Sequence, residues 1–327
     1  MRMIRKLALG ASLLVLLGAC TTGGGSSTPP TSTTSTSSGP TLPPPPALKI
    51  GSDGFDEARV VAEIYAQVLE ANGYPVDRAG IGLGTRDVTN AALFGGSIDM
   101  KPEYVGSGLA KLGGTQSNDP AKNQAALQAI LSGKGGGITV LGFTPAQDTN
   151  ALVVRKETAD QFHLTKWSDL TAVASQLKWG LATDCPTSPV CAKALKDSYG
   201  IDTSTLQVTL LDACSKAMDD ALTAKTIDVA ELCSTGPEII VNGWVRLEDD
   251  KATQPADAIA PVVRNDYLAK VDKAAFQAML DAVSAKIDTA TLADLYKQVS
   301  IDKKDTSVVA KAWLQASGLL PGAPAAS

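Results

Sequence analysis

The sequence predicts an α/β fold with a largely parallel sheet, and three observations carry that expectation. Short apolar runs end at small-residue turns, segments of helical period follow them, and the alternation persists from residue 48 to about 235. LKIGS (48–52) reads as the first strand. FDEARVVAEIYAQVLEANGY then reads as a helix, with Val61, Ile64, Tyr65, Val68 and Leu69 at helical spacing and Gly73 suited to its C-terminal cap. A short helix near 87–94, a strand at 97–100, a helix near 120–132 and the strand GITVLGF follow.

A second block begins at NALVVRKETADQFHLTKWSDLTAV: a strand, a short helix around 157–162, and a helix capped by Ser168. KWGLAT, VTLLDA and IDVAELCST read as strands. CAKALKDSYGI, closed by Gly200, and SKAMDDALTAK read as helices. After 236 the pattern changes: WVRLEDD and AIAPVV are strand-like, and 273–318 is mostly helix. In open α/β sheets ligands lie beyond the carboxyl ends of strands, near helix N-termini. The loops to watch are therefore 51–55, 101–108, 144–149, 183–191, 212–215 and 233–237. Tyr104 falls in one of them, although aromatic residues make up only 5% of the chain.

Not all of the 327 residues are expected to fold. Residues 1–19, MRMIRKLALGASLLVLLGA, place Arg2, Arg5 and Lys6 before an apolar run too short to span a bilayer, which reads as an export signal. It ends in LLGAC, which resembles the lipobox of bacterial lipoproteins. That resemblance implies cleavage before Cys20, a lipid on Cys20, and a protein anchored on the extracytoplasmic face of the cell membrane. Residues 21–46, rich in Ser, Thr, Pro and Gly, hold too little apolar surface to fold and read as a disordered tether. Residues 47–322 remain, enough for two lobes. Loss of the three leader cations takes the net charge from −5 to −8, a poor balance for nucleic acid.

Cysteine usage agrees with export. Cys185, Cys191, Cys214 and Cys233 suggest two disulfides, with three possible pairings. Cys185–Cys191 and Cys214–Cys233 close the shortest loops and are preferred. A zinc site is disfavoured by the C-x5-C and C-x18-C spacings and by the position of the sole histidine, His163, 22 residues before Cys185. Enzymatic readings are weak. Gly80–Gly84 resembles a phosphate loop but lacks an apolar strand before it. His163 sits at a helix end, where capping or a surface role is expected. Glu248, Asp249 and Asp250 read as a solvated turn, and Gly133–Gly137 as a flexible connection. Trp244, Trp313 and Tyr65 read as core.

LKIGSDGFDEARVVAEIYAQVLEANGY, ALFGGSIDMKPEYVGSGL, DCPTSPVCAKALKDSYGI, IDVAELCSTGPEI and AIAPVVRNDYL, in that order, resemble the substrate-binding proteins of osmoprotectant ABC importers, which take glycine betaine, choline, carnitine or proline. The resemblance covers nearly all of 47–320. It implies a two-lobed clamp of the periplasmic-binding-protein type II with two crossovers, lobe one at 47–146 plus 236–322 and lobe two at 147–235. It also implies a monomeric receptor without catalysis, metal or cofactor, which hands a small solute to a permease with its ATPase. A quaternary ammonium has no N–H to donate, so aromatic faces must hold it. The family's cage tyrosine corresponds to Tyr104, with Ser107 in the same turn. Asp148 and Asn150 lie at the first crossover, Ser188 in the lobe-two loop, and Ser52 and Thr235 complete the expected set. Asn150, Ser188 and Cys233 stand where the family places Tyr, Arg and an aromatic residue. The alternative expectation is therefore the same clamp with specificity for another polar or aromatic solute, acting as receptor or sensor.

Overall fold

A computed structural model describes residues 43–320, except 213. The leader, Cys20 and nearly all of the tether lie outside the described residues. Two five-stranded sheets organise the chain. The first runs β2(Val76–Gly84), β1(Leu48–Asp53), β3(Met100–Tyr104), β10(Ile259–Arg264), β4(Ile138–Val140). The second runs β7(Gln207–Leu211), β6(Lys178–Ala182), β8(Val229–Cys233), β5(Asn150–Val154), β9(Val245–Arg246). In each, four strands run in one direction and one runs against them. β10 is antiparallel to β3 and β4, and β5 is antiparallel to β8 and β9. Those antiparallel strands follow the two passages of the chain between sheets, at 141–149 and 247–258.

Apolar helix faces cover both sheets. Val60, Val61, Ile64, Tyr65, Val68 and Leu69 of the helix Asp56–Ala71 pack on the first sheet. Its stripe recurs every three to four residues because only that period keeps one helix face in the core. Tyr65 is fully buried and hydrogen-bonds Ser284 at 2.8 Å. Trp167, Trp179, Leu181 and Leu195 fill one face of the second sheet. His163 closes the helix Lys156–Phe162 in the left-handed conformation, with φ 54°.

Three sequence expectations need correction. The strand expected at 97–100 lies at Met100–Tyr104, and all five residues are buried. Its polar residues hid it, but their charges are matched inside. Lys101 is fully buried, 2.8 Å from Glu103 and 3.5 Å from Asp53, and Arg86 reaches Glu103 at 3.0 Å. Gly80–Gly84 is strand rather than loop. It belongs to edge strand β2, whose register with β1 shifts twice and whose Gly82 and Gly84 take φ of 74° and 151°, which glycine tolerates. The return to the first sheet also comes later than 236, because Arg246 still pairs with Val153 of β5.

The passages are tied to each other. The Asp148 amide donates to the Asp257 carbonyl at 3.1 Å, and the Asp257 amide donates to Gln147 Oε1 at 2.8 Å. Sulfur bridges join Cys185 to Cys191 and Cys214 to Cys233. The first closes a loop beside β6, and the second links the segment before the helix Lys216–Thr223 to the end of β8.

Removing one partner of a buried ion pair leaves a buried charge uncompensated, at a cost of about 3–5 kcal/mol. Lys101→Met should lower the unfolding free energy by that amount in urea. A loss below about 1 kcal/mol would show that Arg86 alone balances Asp53 and Glu103.

Candidate functional site

A cavity of about 190 Å³ lies between the sheets. Phe55 and Glu57 reach it from the start of the helix after β1, and Asp148 from the first passage. Cys233, Thr235 and Glu238 come from the end of β8 and the short helix Pro237–Val241. Asp219 comes from the helix Lys216–Thr223, and Tyr296 from the helix Thr289–Ser300. The parallel strand ends of both sheets converge here, which places helix N-termini around it.

Its charge is one-sided. Glu57, Asp148, Asp219 and Glu238 line it, and among the described residues no Lys or Arg does. Among the described residues none of these four carries a salt bridge, whereas Asp220, next to Asp219, is paired with Lys216 at 2.6 Å. Glu57 is 1% exposed. The Tyr104 hydroxyl donates to its Oε1 at 2.5 Å, and its Oε2 is buried without a hydrogen-bond partner among the described residues. Thr235 lies close enough to favour the charged form of Glu57, but its hydroxyl donates to Asp148 Oδ1 at 2.8 Å.

Burial, and then the nearby charge of Asp148, push the Glu57 carboxyl up to about 8. Burial raises Asp148 as well. Asp257, behind the cavity, is raised by burial to about 6, although it accepts the Gly106 and Ser107 amides, each at 2.9 Å, and the Ser107 hydroxyl. On the far side, Asp219 is raised to about 6 by burial and by the charge of Glu238. Tyr296 is pushed up to about 12 by burial and by carboxylates that include Glu57 and Glu238.

Of the seven expected binding residues, Asp148 and Thr235 line this cavity. Tyr104 stands one step behind it. It is 3% exposed, bonded to Glu57, with its ring 5.7 Å from that of Phe55. Ser107 also sits behind, bound to Asp257. The other three do not reach the cavity. Ser52 is fully buried, donating to the Asp53 carbonyl and accepting from the Gly82 amide, each at 2.9 Å, and so braces the irregular β1–β2 edge. Asn150 opens β5 opposite Cys233 and faces a separate cavity with Thr149 and Arg246. Ser188 lies in the loop closed by Cys185–Cys191, its amide directed to the Asp184 and Cys185 carbonyls.

Sequence reasoning missed Phe55, Glu57, Asp219, Glu238 and Tyr296. Glu57 left a signal: it stands four residues before Val61, so a carboxylate occupies the apolar stripe directly after a strand end. Tyr296 shares the apolar period of Leu292, Leu295 and Val299 and reads as core.

Residues 46–316 match the family of substrate-binding domains of the ABC-type glycine betaine transport system. The chain belongs to that family. It is a family of transport receptors rather than enzymes. The chain is 27% identical over 281 residues to the glycine betaine-binding protein YehZ of Escherichia coli strain K12, covering 83% of this chain and 90% of that one. It is 26% identical over 275 residues to the ergothioneine transport permease/binding protein EgtU of Helicobacter pylori strain G27, covering 83% of this chain and 48% of that one. The solved structure of YehZ from Escherichia coli superposes with a TM-score of 0.73 at 25% identity, over 84% of this chain and 99% of that one. The two-lobed fold of the substrate-binding domain is thus shared. In this member of the family the cavity at the strand ends has acidic and aromatic walls.

A carboxyl raised on folding favours the folded state fully below its unfolded value, near 4.5 for Glu57. That advantage is lost as pH rises toward about 8. Glu57→Gln should therefore unfold at higher urea than wild type at pH 8, by at least about 1.4 kcal/mol, the equivalent of one pKa unit. It should also lose part of the decline between pH 5 and 8. Equal stability of the two proteins at pH 8 would mean that Glu57 is not held uncharged by its surroundings.

Proposed function

We propose that the chain is the solute receptor of an ABC importer, and that its solute is a small organic cation of the osmoprotectant class held between the two sheets. The wall charge carries this reading: four carboxylates that, among the described residues, have neither a salt bridge nor a basic neighbour in the lining, beside the rings of Phe55 and Tyr296. A cation beside buried carboxylates offsets their desolvation, and each aromatic face adds about 0.5–2 kcal/mol. The cavity is smaller than the roughly 300–1,000 Å³ of drug-sized sites, which restricts the solute to a few heavy atoms. The aromatic walls that Asn150 and Cys233 do not supply come from Phe55 and Tyr296.

The same charge discriminates among osmoprotectants. A betaine carries a carboxylate that wants an Arg, a Lys or backbone N–H groups. Here it faces acids. Choline should therefore bind at least tenfold more tightly than glycine betaine, a difference of about 1.4 kcal/mol, and Glu57→Gln should weaken choline by at least the same factor. Calorimetric titration tests both. Tighter binding of glycine betaine would reverse the assignment of the walls, and the absence of binding by any organic cation would remove it.

Delivery to a permease places the receptor on the extracytoplasmic face. The lipid on Cys20 and the tether 21–46 complete this reading as an anchor and a spacer. Wild type should partition into detergent and Cys20→Ala should not. A processed Cys20→Ala protein that stays with the membrane would exclude the lipid anchor.

A further inference from the structure

The cavity has two acidic poles, one contributed from each sheet. Glu57 and Asp148 come from the helix after β1 and the passage after β4. Asp219 and Glu238 come from the helices that flank β8. Each pole acts on its own members: the charge of Asp148 raises Glu57, and that of Glu238 raises Asp219. Tyr296 lines the same cavity and is raised by burial and by the charges of Glu57 and Asp148 from one pole and Glu238 from the other.

The wall joining the poles is apolar, made by Leu232, Ile239, Pro237 and the Cys214–Cys233 bridge together with Phe55 and the Tyr296 ring. Glu57 Oε2, on a residue 1% exposed, is buried without a hydrogen-bond partner among the described residues, in the same lining as that wall. A quaternary head has no N–H to give it, whereas a protonated primary amine has three. An inorganic dication would leave the apolar wall without a partner of its own kind.

We propose that the preferred ligand of this site is an α,ω-diammonium compound with a short methylene spacer, one ammonium donating to Glu57 Oε2 beside Asp148 and the other lying between Asp219 and Glu238. This rests on the reading of the cavity as a receptor site for organic cations and specifies the chemistry of its solute. The methylenes pack on the apolar wall, and each terminal charge meets a carboxylate pair. A monocation satisfies only one pole.

Calorimetric titration with butane-1,4-diamine, butan-1-amine, choline and calcium chloride tests it. The two amines share a four-carbon chain and differ in the second charge. The diamine should bind at least tenfold more tightly than butan-1-amine and more tightly than choline. Asp219→Asn combined with Glu238→Gln should collapse the diamine-to-monoamine ratio toward one. Thermal melts of the double variant report whether it is folded. Choline binding with no gain for the diamine would overturn the two-pole assignment while leaving the organic-cation receptor intact. Calcium displacing the diamine at equal or lower concentration would make the acids an inorganic ion site and overturn it too. A ratio unchanged in the double variant would show that the second charge is held elsewhere. Failure of all three organic cations would remove the receptor reading itself.

Discussion

Glu57 is the carboxyl around which the site is arranged. It sits where β1 hands over to its helix, almost wholly removed from water, with one oxygen bonded and the other not. An isolated buried carboxylate is costly enough that proteins neutralise, pair or protonate it. Here the compensation within the protein is partial. The helix N-terminus contributes favourable partial charge, and Tyr104 contributes one hydroxyl. Asp148 and Asp257 then act in the opposite direction. A fold that retains this arrangement holds a cost that a positively charged occupant of the cavity offsets.

The neighbouring strand shows what full compensation looks like in the same molecule. Asp53 and Glu103 are buried as deeply as Glu57, yet Lys101 lies between them and Arg86 closes over Glu103. Acids and bases there balance, and the cluster secures the seam of β1 and β3. Among the described residues no Lys or Arg lines the cavity. The contrast is between buried charge matched within the chain and buried charge that is not, and the second kind is what the proposed binding site uses.

The α/β alternation was legible because strand and helix periods are local properties of a sequence. The site was legible only in outline. Position after a strand end located Asp148, Thr235 and the neighbourhood of Tyr104, since that rule concerns topology rather than side chains. It did not say which residue of a loop faces the ligand. Tyr104 turns inward to serve Glu57, and Asn150 alternates to the other side of β5. Met100–Tyr104 was displaced in the reading because Lys101 and Glu103 look like surface until their mutual pairing is known. Tyr296 and Glu238 meet Glu57 only through contacts made across long stretches of chain, and nothing in their local pattern marks them.

The two passages between sheets connect charge to shape. Asp148 and Asp257 lie on different passages, joined by a backbone hydrogen bond, and both belong to the buried acidic group. Asp257 holds the Gly106–Ser107 turn through both amides. Asp148 holds Thr235 at the end of β8. The same carboxylates that set the potential of the cavity therefore fix the segments by which one sheet is held relative to the other. Like charges on facing walls repel. A cation placed between them reverses the sign of that interaction. The free energy of holding the walls together then depends on the charge of what lies between them, and the two passages that carry Asp148 and Asp257 are where that dependence acts.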